Sequence, residues 1–161
     1  MAIVDSGSRT EFESGAVRDI QKGKGRCDLL PIETVARIYW DNKDYTSLVF
    51  SYLSDFVLSG NEKLLLDVLK AFCKVSGWTM ETLLLEASIH FEEGAEKYSP
   101  DNWKKGIPAR NYINSGVRHF LKYLRCDDDE RHDRAFVWNI ICCWWTCEKI
   151  PKLNDYKKTS S

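Results

Sequence analysis

The sequence of 161 residues lacks a strong net charge, a long apolar run and the cysteine spacing of a zinc site. A formal net charge of −1 gives no electrostatic reason to expect general binding to nucleic acid or to a membrane surface. No apolar run approaches the roughly 20 residues of a membrane-spanning helix. The N-terminal segment is polar and lacks the apolar core of a signal peptide, so we expect a cytoplasmic protein with no nucleic-acid or membrane partner.

Cysteine is present, but not in a metal-binding pattern. None of the six residues forms a C-x-x-C motif or a paired Cys/His spacing. Cys143 and Cys147 are four residues apart in an apolar segment, which is typical of buried thiols on one helix face. We therefore expect free thiols rather than a structural disulfide.

A phosphate-binding P-loop is also missing, because the motif GxxxxGK[ST] does not occur. The nearest candidate is the segment 14–31, in which glycines alternate with cations. These residues are Gly15, Gly23 and Gly25 together with Arg18, Lys22, Lys24 and Arg26. Glycine lets the backbone approach a ligand closely, and cations attract phosphate. On composition alone, however, the segment is more typical of a basic surface loop than of a phosphate clamp.

Hydrophobic spacing of three and four residues from Ile32 onward predicts helices throughout. Gly60 and Gly77 are expected to end helices, and Thr79 is expected to cap the next one. No segment predicts a strand, so we expect one all-α domain. Its predicted parts are a flexible lead-in at 1–13, a Gly/basic loop at 14–31, a helical block at 32–77, helices bearing the chemistry at 78–149 and a polar tail at 150–161.

Two acidic trios repeat the same spacing of i, i+1 and i+4. Glu92, Glu93 and Glu96 form the first trio, and Asp129, Glu130 and Asp133 form the second. On a helix each trio would fall within an arc of about 100°. Two such clusters facing each other would repel unless a cation lay between them, and carboxylate oxygens suit Mg²⁺. The alternative is that both trios are solvated faces of surface helices.

Several segments, in this order, resemble one known family. They are SGAVRD, GKGRCDLLP, HFEEGAEKY, NWKKGIP, SGVRHFLKYL and HDRAFVWN. The chain is similar to the phage-associated, MazZ-like dATP/dGTP diphosphohydrolases, within the MazG-like all-α NTP pyrophosphohydrolases. The similarity covers about residues 14–31 and 86–147. It implies a MazG-like helical bundle in which 32–77 is an extra helical insertion.

The resemblance also implies an activity and a metal. The expected reaction hydrolyses the α–β bond of purine deoxynucleoside triphosphates, dGTP or dATP, to a monophosphate and pyrophosphate. The expected cofactor is Mg²⁺, which Mn²⁺ can replace. The family pattern of metal ligands matches Glu93-x-x-Glu96 and Glu130-x-x-Asp133, while Glu92 and Asp129 fit it in a second register. All six acids are therefore candidate metal ligands, with Glu92, Glu96, Asp129 and Asp133 ranked first.

Catalytic and substrate-binding candidates follow from the same resemblance. Glu92 or Glu93 would orient or deprotonate the attacking water. Cations would stabilise phosphate charge, and Asn102 and Trp103 would contact the purine. The full set of substrate-binding candidates is Lys24, Arg26, Lys97, Asn102, Trp103, Arg118, His119, Lys122, His132 and Asn139. Each has a structural alternative, as a surface ion pair or a packing residue.

The resemblance further implies a homodimer or a dimer of dimers, acting in the host cytoplasm if the gene is phage-encoded. The aromatic last helix, with Trp138, Trp144 and Trp145, offers one apolar surface for such contacts. Three other functions stay open at this stage: an all-α pyrimidine dNTP pyrophosphatase, a non-catalytic helical module that binds nucleotides or partners, and a metal-free regulator that uses the basic loop.

Overall fold

The computed structural model describes residues 7–41 and 44–158, and helices dominate the second range. The helices in these ranges are α1 Ile32–Ile38, α2 Thr46–Ser59, α3 Leu64–Ser76, α4 Met80–Lys97, α5 Ala109–Leu124 and α6 His132–Lys149. Short 3-10 turns lie at Cys27–Leu29, Asn102–Lys105 and Pro151–Leu153. The prediction of an all-α fold is confirmed. Parts of the predicted lead-in (1–6) and tail (159–161) lie outside the described residues.

The N-terminal segment departs from the expected lead-in and loop, because it contains a short antiparallel hairpin. Strand β1 is Arg9–Glu11 and strand β2 is Val17–Asp19. Gly15 lies in the turn with a φ of +82°, which favours glycine. Strands of three residues carry too little alternation to be predicted from a pattern. Their position depends on contacts with residues much later in the chain.

The predicted helix ends are confirmed. Gly60 ends α2 and Gly77 ends α3, and both adopt left-handed backbone angles, with φ of +67° and +75°. The Thr79 hydroxyl accepts a hydrogen bond from the Thr82 amide at 3.1 Å, which caps α4. These signals are local, and the sequence therefore carries them without help from the rest of the fold.

Helix α6 begins later than the acidic run suggests. The sequence predicts a helix from Asp127, whereas α6 begins at His132. The chain reverses at Cys126, which has a φ of +64°, and Asp127 binds the Arg125 side chain instead of entering a helix. The prediction that the second acidic trio shares one helix face is therefore wrong, since Asp129 and Glu130 precede the helix.

Helices α5 and α6 form the centre of the bundle. Gly116 of α5 faces α6, and a Cβ atom added there would lie in ordinary van der Waals contact with the Asn139 Cβ, at 3.5 Å. Phe120 and Phe136 stack at 4.9 Å between ring centroids, and Phe72 of α3 packs against both rings. The block predicted as an insertion thus contributes to the same core as the later helices.

Two further features agree with the composition. All six cysteines are free thiols, and the three on α6 are buried. Burial raises the pKa of the Cys142 and Cys143 thiols well above the ordinary value, so they behave as small apolar side chains. Within the residues that the structure covers, no helix is both long and apolar enough to cross a membrane.

Candidate functional site

A cavity of about 390 Å³ lies between β2, α4, α5 and the start of α6. Its volume falls in the range of small-molecule sites. Aromatic side chains form one part of the wall, and cations and imidazoles form another. The aromatic residues are Phe91, Tyr98, Trp103 and Trp138, and the basic residues are Arg18, Lys24, His90, Arg118, His119 and Lys122. Such a wall suits a ligand with one flat apolar end and one anionic end.

Arg18 on β2 is the most unusual cation of the cavity. Its guanidinium donates to the Asn139 Oδ1 at 3.1 Å and lies over the rings of Tyr112 and Trp138. No carboxylate forms an ion pair with it among the described residues. Burial lowers the pKa of Arg18 from its ordinary value, although the group stays charged at neutral pH. A partly buried guanidinium without a carboxylate partner is a strong candidate for binding an anion or a carbonyl edge.

Arg118 on α5 provides a second guanidinium without a carboxylate partner in the described chain. It donates to the Gly25 carbonyl at 3.0 Å and to the Ser115 hydroxyl at 3.2 Å, and burial lowers its pKa. Lys24 and Lys122 also line the cavity. Lys122 lies 3.4 Å from an Asp129 oxygen on the exposed side. The predicted cations Lys24, Arg118 and Lys122 are thus brought together at one cavity.

Two histidines and two acids form a compact cluster where α5 meets the start of α6. The Nδ1 atoms of His119 and His132 are 3.0 Å apart, and His132 Nε2 lies 2.7 Å from an Asp129 oxygen. The pKa of His119 lies well below its ordinary value, mainly because the ring is desolvated, and to a lesser degree because His132 and Arg118 are close to it. His132 is almost fully buried behind His119, and is not itself part of the cavity wall.

Groups that could hold a metal occur in this cluster. The described residues offer two: His119, Glu130 and His132 in the first, and Asp127, Asp129 and His132 in the second. Neither group contains an acid of α4. Two predicted metal ligands, Asp129 and Glu130, are therefore near other ligand atoms, and so are two histidines that the sequence had suggested as substrate contacts.

Asp133, the last acid of the second trio, has a different environment. Arg131 binds both of its oxygens, at 3.0 and 2.8 Å, and the Arg134 amide donates to it at 2.8 Å. Burial alone would raise the pKa of Asp133, but the hydrogen bonds from Arg131 and the backbone outweigh burial and lower it. Glu86 binds the side chains of Arg131 and Arg134 as well. Asp133 thus stabilises the first turn of α6.

The acids of α4 lie away from the cavity of their own chain. The face of α4 that lines the cavity carries His90, Phe91, Gly94, Ala95 and Tyr98. Glu92 and Glu96 are exposed and Glu93 is half-buried, and none of the three forms an ion pair within the described residues. The two trios are not brought together in one chain, and the metal and catalytic roles of the α4 acids stay predictions.

Asn102 has a structural task that the sequence did not reveal. Its side chain accepts a hydrogen bond from the Val17 amide at 2.9 Å and donates one to the Val17 carbonyl at 2.8 Å. The amide thereby holds β2 against the cavity, and its two ends are occupied. Trp103 does line the cavity, but it also packs edge-on against Trp145 at 5.0 Å. Asn139 lines the cavity and accepts from Arg18, as described above.

Two predicted cations are occupied elsewhere. Arg26 binds both oxygens of the buried Asp28 carboxylate, at 2.7 and 2.6 Å, and does not line the main cavity. Lys97 lies 2.8 Å from an Asp19 oxygen, and Tyr98 donates to the same carboxylate at 2.8 Å. Arg26 and Lys97 therefore neutralise the charges of Asp28 and Asp19 in the N-terminal segment.

Sequence reasoning missed several residues of the wall. Arg18 stood among the basic residues of the segment 14–31, but nothing in the spacing distinguished it from its exposed neighbours. No sequence pattern marked His90, which lies on the cavity-facing side of α4. Desolvation, and to a lesser degree the charges of Arg18 and Arg134, lower the pKa of His90 to about 4. Gln21 and Ser115 complete the polar part of the wall and bind each other at 3.2 Å.

These features define a class: an all-α protein whose helices surround an aromatic and cationic cavity, beside side chains that could hold a metal ion. A family model described as dATP/dGTP diphosphohydrolase, N-terminal, matches residues 59–156, which is more than half of the chain. The chain belongs to this dATP/dGTP diphosphohydrolase family, and is an enzyme of the diphosphohydrolase class. The matched range contains α3 to α6 but not the hairpin with Arg18. Searches of curated proteins and of solved structures found no match.

Proposed function

We propose that the protein hydrolyses the α–β bond of dGTP or dATP to a deoxynucleoside monophosphate and pyrophosphate, with a divalent cation as cofactor. The observation that carries the proposal is the pairing, in one cavity, of an aromatic wall with guanidiniums that have no carboxylate partner in the described chain. The family match supports the choice of substrate class. Such a substrate belongs to the dNTP pool, which is consistent with action in the cytoplasm.

The cationic side of the cavity suits the triphosphate. Arg118, Lys24 and Lys122 are close to one another on the cavity wall, and their positive charge would favour a polyphosphate over an uncharged ligand. Arg118 is already held by the Gly25 carbonyl and the Ser115 hydroxyl, so it needs little reordering to bind. Preorganised charge of this kind stabilises the negative charge that develops on the leaving pyrophosphate.

The aromatic side suits the base. Phe91, Trp103 and Trp138 present rings to the cavity, and Phe91 lies within 5.5 and 6.0 Å of the other two ring centroids. A purine stacks on such rings without regard to its edge substituents. The choice between guanine and adenine would then depend on polar groups such as Arg18 and Asn139, because guanine offers acceptors where adenine offers a donor.

The groups present fit a divalent cation, which the family resemblance gives as Mg²⁺ with Mn²⁺ as a substitute. Asp129 and Glu130 are the carboxylates of the wall that have no strong cation partner other than Lys122 and histidine. Asp129 and Glu130 would hold such an ion, which would supply positive charge against the phosphates and acidify water. Glu92 and Glu93 would orient that water only in an assembly where another copy presents α4 to the cavity.

A homodimer, or a dimer of dimers, is part of the proposal. Leu84 and Leu85 are more than half exposed on α4, on the same helix as the exposed Glu92 and Glu96. Two large exposed leucines favour a contact that buries them. Light scattering should give a mass of two or four chains, and Leu85→Glu should lower it toward one. Ser88→Glu, on the same exposed stretch but without an apolar side chain, is the matched control for added charge, and a monomeric wild-type protein would reject the assembly.

A product assay tests the activity. The eight common NTPs and dNTPs would be incubated with Mg²⁺ or Mn²⁺, and monophosphate, diphosphate, pyrophosphate and phosphate resolved by chromatography. We expect monophosphate and pyrophosphate, most rapidly from dGTP or dATP, and none with EDTA. Arg118→Met should lower kcat/KM on the order of 100-fold, as loss of a charged transition-state contact does. Arg125→Met removes an exposed arginine paired with Asp127 and is the control. Turnover of pyrimidine nucleotides alone, or of none, would contradict the proposal.

A further inference from the structure

Three ligand atoms near the cavity form a nearly equilateral triangle. The Nδ1 atoms of His119 and His132 are 3.0 Å apart. A carboxylate oxygen of Glu130 lies 3.6 Å from the first and 3.7 Å from the second. The point in the plane of the triangle that is equidistant from all three atoms lies about 2.0 Å from each, which is the length of a bond from a first-row transition metal to imidazole nitrogen or carboxylate oxygen.

The surroundings of the triangle select the protonation state that a metal needs. The Asp129 carboxylate lies 2.7 Å from His132 Nε2 and can only accept, so the Nε2–H donates a hydrogen bond to Asp129 and Nδ1 is the nitrogen of the neutral ring that has a lone pair. A carboxylate behind a histidine is the usual outer support of a metal-bound imidazole. His132 is 98% removed from solvent, which fixes its ring, while Glu130 and His119 belong to the cavity wall.

Glu130 argues against a histidine pair that is only structural. A hydrogen bond between the two rings would explain the 3.0 Å between nitrogens, but it would not explain a half-buried carboxylate beside both. Among the described residues, the Glu130 side chain accepts no hydrogen bond, and Lys122 pairs with Asp129 instead. When neither Nδ1 atom carries a proton, a carboxylate beside the two nitrogen lone pairs repels them unless a cation joins the three groups.

The other candidate group is less suitable. It consists of Asp127, Asp129 and His132. Arg125 already binds both oxygens of Asp127, and this pairing lowers the Asp127 pKa. His132 faces the first group with Nδ1 and the second group with Nε2. Because Nε2 already donates its N–H to Asp129, it has no lone pair available to a metal ion in the second group. In the first group no lysine or arginine of the described chain forms an ion pair with Glu130, although Arg118 lies near enough to act electrostatically on both Glu130 and His119.

We propose that His119, Glu130 and His132 form a binding site for one first-row transition-metal dication, such as Mn²⁺, Co²⁺ or Zn²⁺, in preference to Mg²⁺. Imidazole ligands favour these ions, whereas Mg²⁺ prefers oxygen. Three protein ligands leave positions open toward the cavity, where phosphate oxygens or water would complete the coordination. Any part of the ion in hydrolysis rests on the proposed function, but binding of the ion needs no nucleotide.

Metal binding to the full chain, treated with chelator and free of nucleotide, tests the site. Calorimetry would measure Kd and stoichiometry for Mn²⁺ and Zn²⁺, with Mg²⁺ as competitor. Pulsed EPR of bound Mn²⁺ would detect coupling to directly bound nitrogen. We expect one ion per chain at this site, nitrogen coupling, and displacement by Mg²⁺ only at concentrations at least about tenfold higher.

Variants separate the triad from its neighbours. His119→Gln and Glu130→Gln should weaken Mn²⁺ binding on the order of 100-fold, and Asp129→Asn about 10-fold to 100-fold through its support of His132. Asp128→Asn removes the same charge two residues from Glu130, and His90→Gln removes another imidazole of the cavity. Both controls should keep Kd within about twofold. Circular dichroism would confirm that each variant is folded.

Three results would overturn the site: an unchanged Kd in folded His119→Gln, absence of nitrogen coupling, or equal competition by Mg²⁺. Loss of binding in Glu92→Gln with His119→Gln unaffected would place the metal at the α4 acids instead. Failure of the proposed function looks different. A protein that binds Mn²⁺ through both histidines but hydrolyses no nucleotide upholds the site and rejects the activity.

Discussion

Asn102 illustrates how a polar residue beside a cavity can act on the scaffold rather than on the ligand. Its amide replaces the backbone of a neighbouring strand by bonding both the N–H and the C=O of Val17. The adjacent Arg18 is thereby held at the cavity wall, where it meets Asn139. At the scale of the residue, the path from sequence to function is therefore indirect: Asn102 positions the strand, and the strand positions a cation.

Asn102→Ala should unfold more readily than the wild type. The substitution leaves two backbone groups of Val17 without partners, and each such group costs about 1–3 kcal/mol when buried. We expect urea denaturation to give a loss of about 2 kcal/mol or more in the free energy of unfolding. Asp101→Ala, next to it but exposed, should change that energy by less than about 0.5 kcal/mol. Unchanged stability in Asn102→Ala, with only KM raised, would favour direct contact with the purine.

Among elements, the helix ends carry the clearest sequence signals and differ in what surrounds them. Gly60 and Gly77 both end helices with positive φ. A Cβ on Gly60 would lie 2.5 Å from the Lys157 backbone, whereas a Cβ on Gly77 would meet nothing within 4 Å. Asn154 also donates to the Gly60 carbonyl at 2.8 Å. The end of α2 is therefore a docking point for the C-terminal segment.

Gly77→Ala and Gly60→Ala make a matched pair. Both impose the left-handed strain on alanine, about 1–2 kcal/mol. Gly60→Ala adds a clash with backbone, which side-chain motion cannot relieve, and should cost a further 1–3 kcal/mol or so. Urea titrations of the two variants would measure the difference. Equal losses would mean that the C-terminal segment does not pack on α2 in solution.

The elements also show where sequence reasoning is limited. Thr79, Gly60 and Gly77 act within one helical turn, and their effects were predictable. The start of α6 was not, because acids that favour a helix N-terminus also favour the segment before it, and Arg125 captures Asp127 at a chain reversal. Two acids of the second trio, Asp129 and Glu130, therefore lie among groups that could hold a metal ion, but not on the predicted helix face.

At the scale of the whole molecule, the partly buried His90 makes stability depend on pH. The pKa of His90 is lowered to about 4 in the folded protein, first by burial and then by Arg18 and Arg134. An unfolded histidine titrates near 6.5. Between these values the unfolded chain binds more protons than the folded one, so stability rises with pH. The contribution is complete above about pH 6.5 and is lost as the pH falls toward 4.

Lowering the pH from 7 to 5 should cost about 2 kcal/mol from His90 alone. His119 shifts in the same direction and adds to the loss. Urea denaturation at both pH values, with chelator present, would measure the change in unfolding free energy. His90→Gln cannot titrate and should lose less than the wild type over this interval. An identical loss in both proteins would show that His90 is solvated in the folded state.

The sequence by itself determined the helical fold, the helix ends and the family, because these depend on spacing, local capping and ordered segments along the chain. It also supplied most of the charged candidates. Only the tertiary structure decided which of them meet: Arg18 enters the cavity from a strand 121 residues before its partner Asn139, and His119 and His132 meet across two helices. Such contacts depend on how the helices pack. No local sequence pattern determines which of several similar basic side chains will line the cavity.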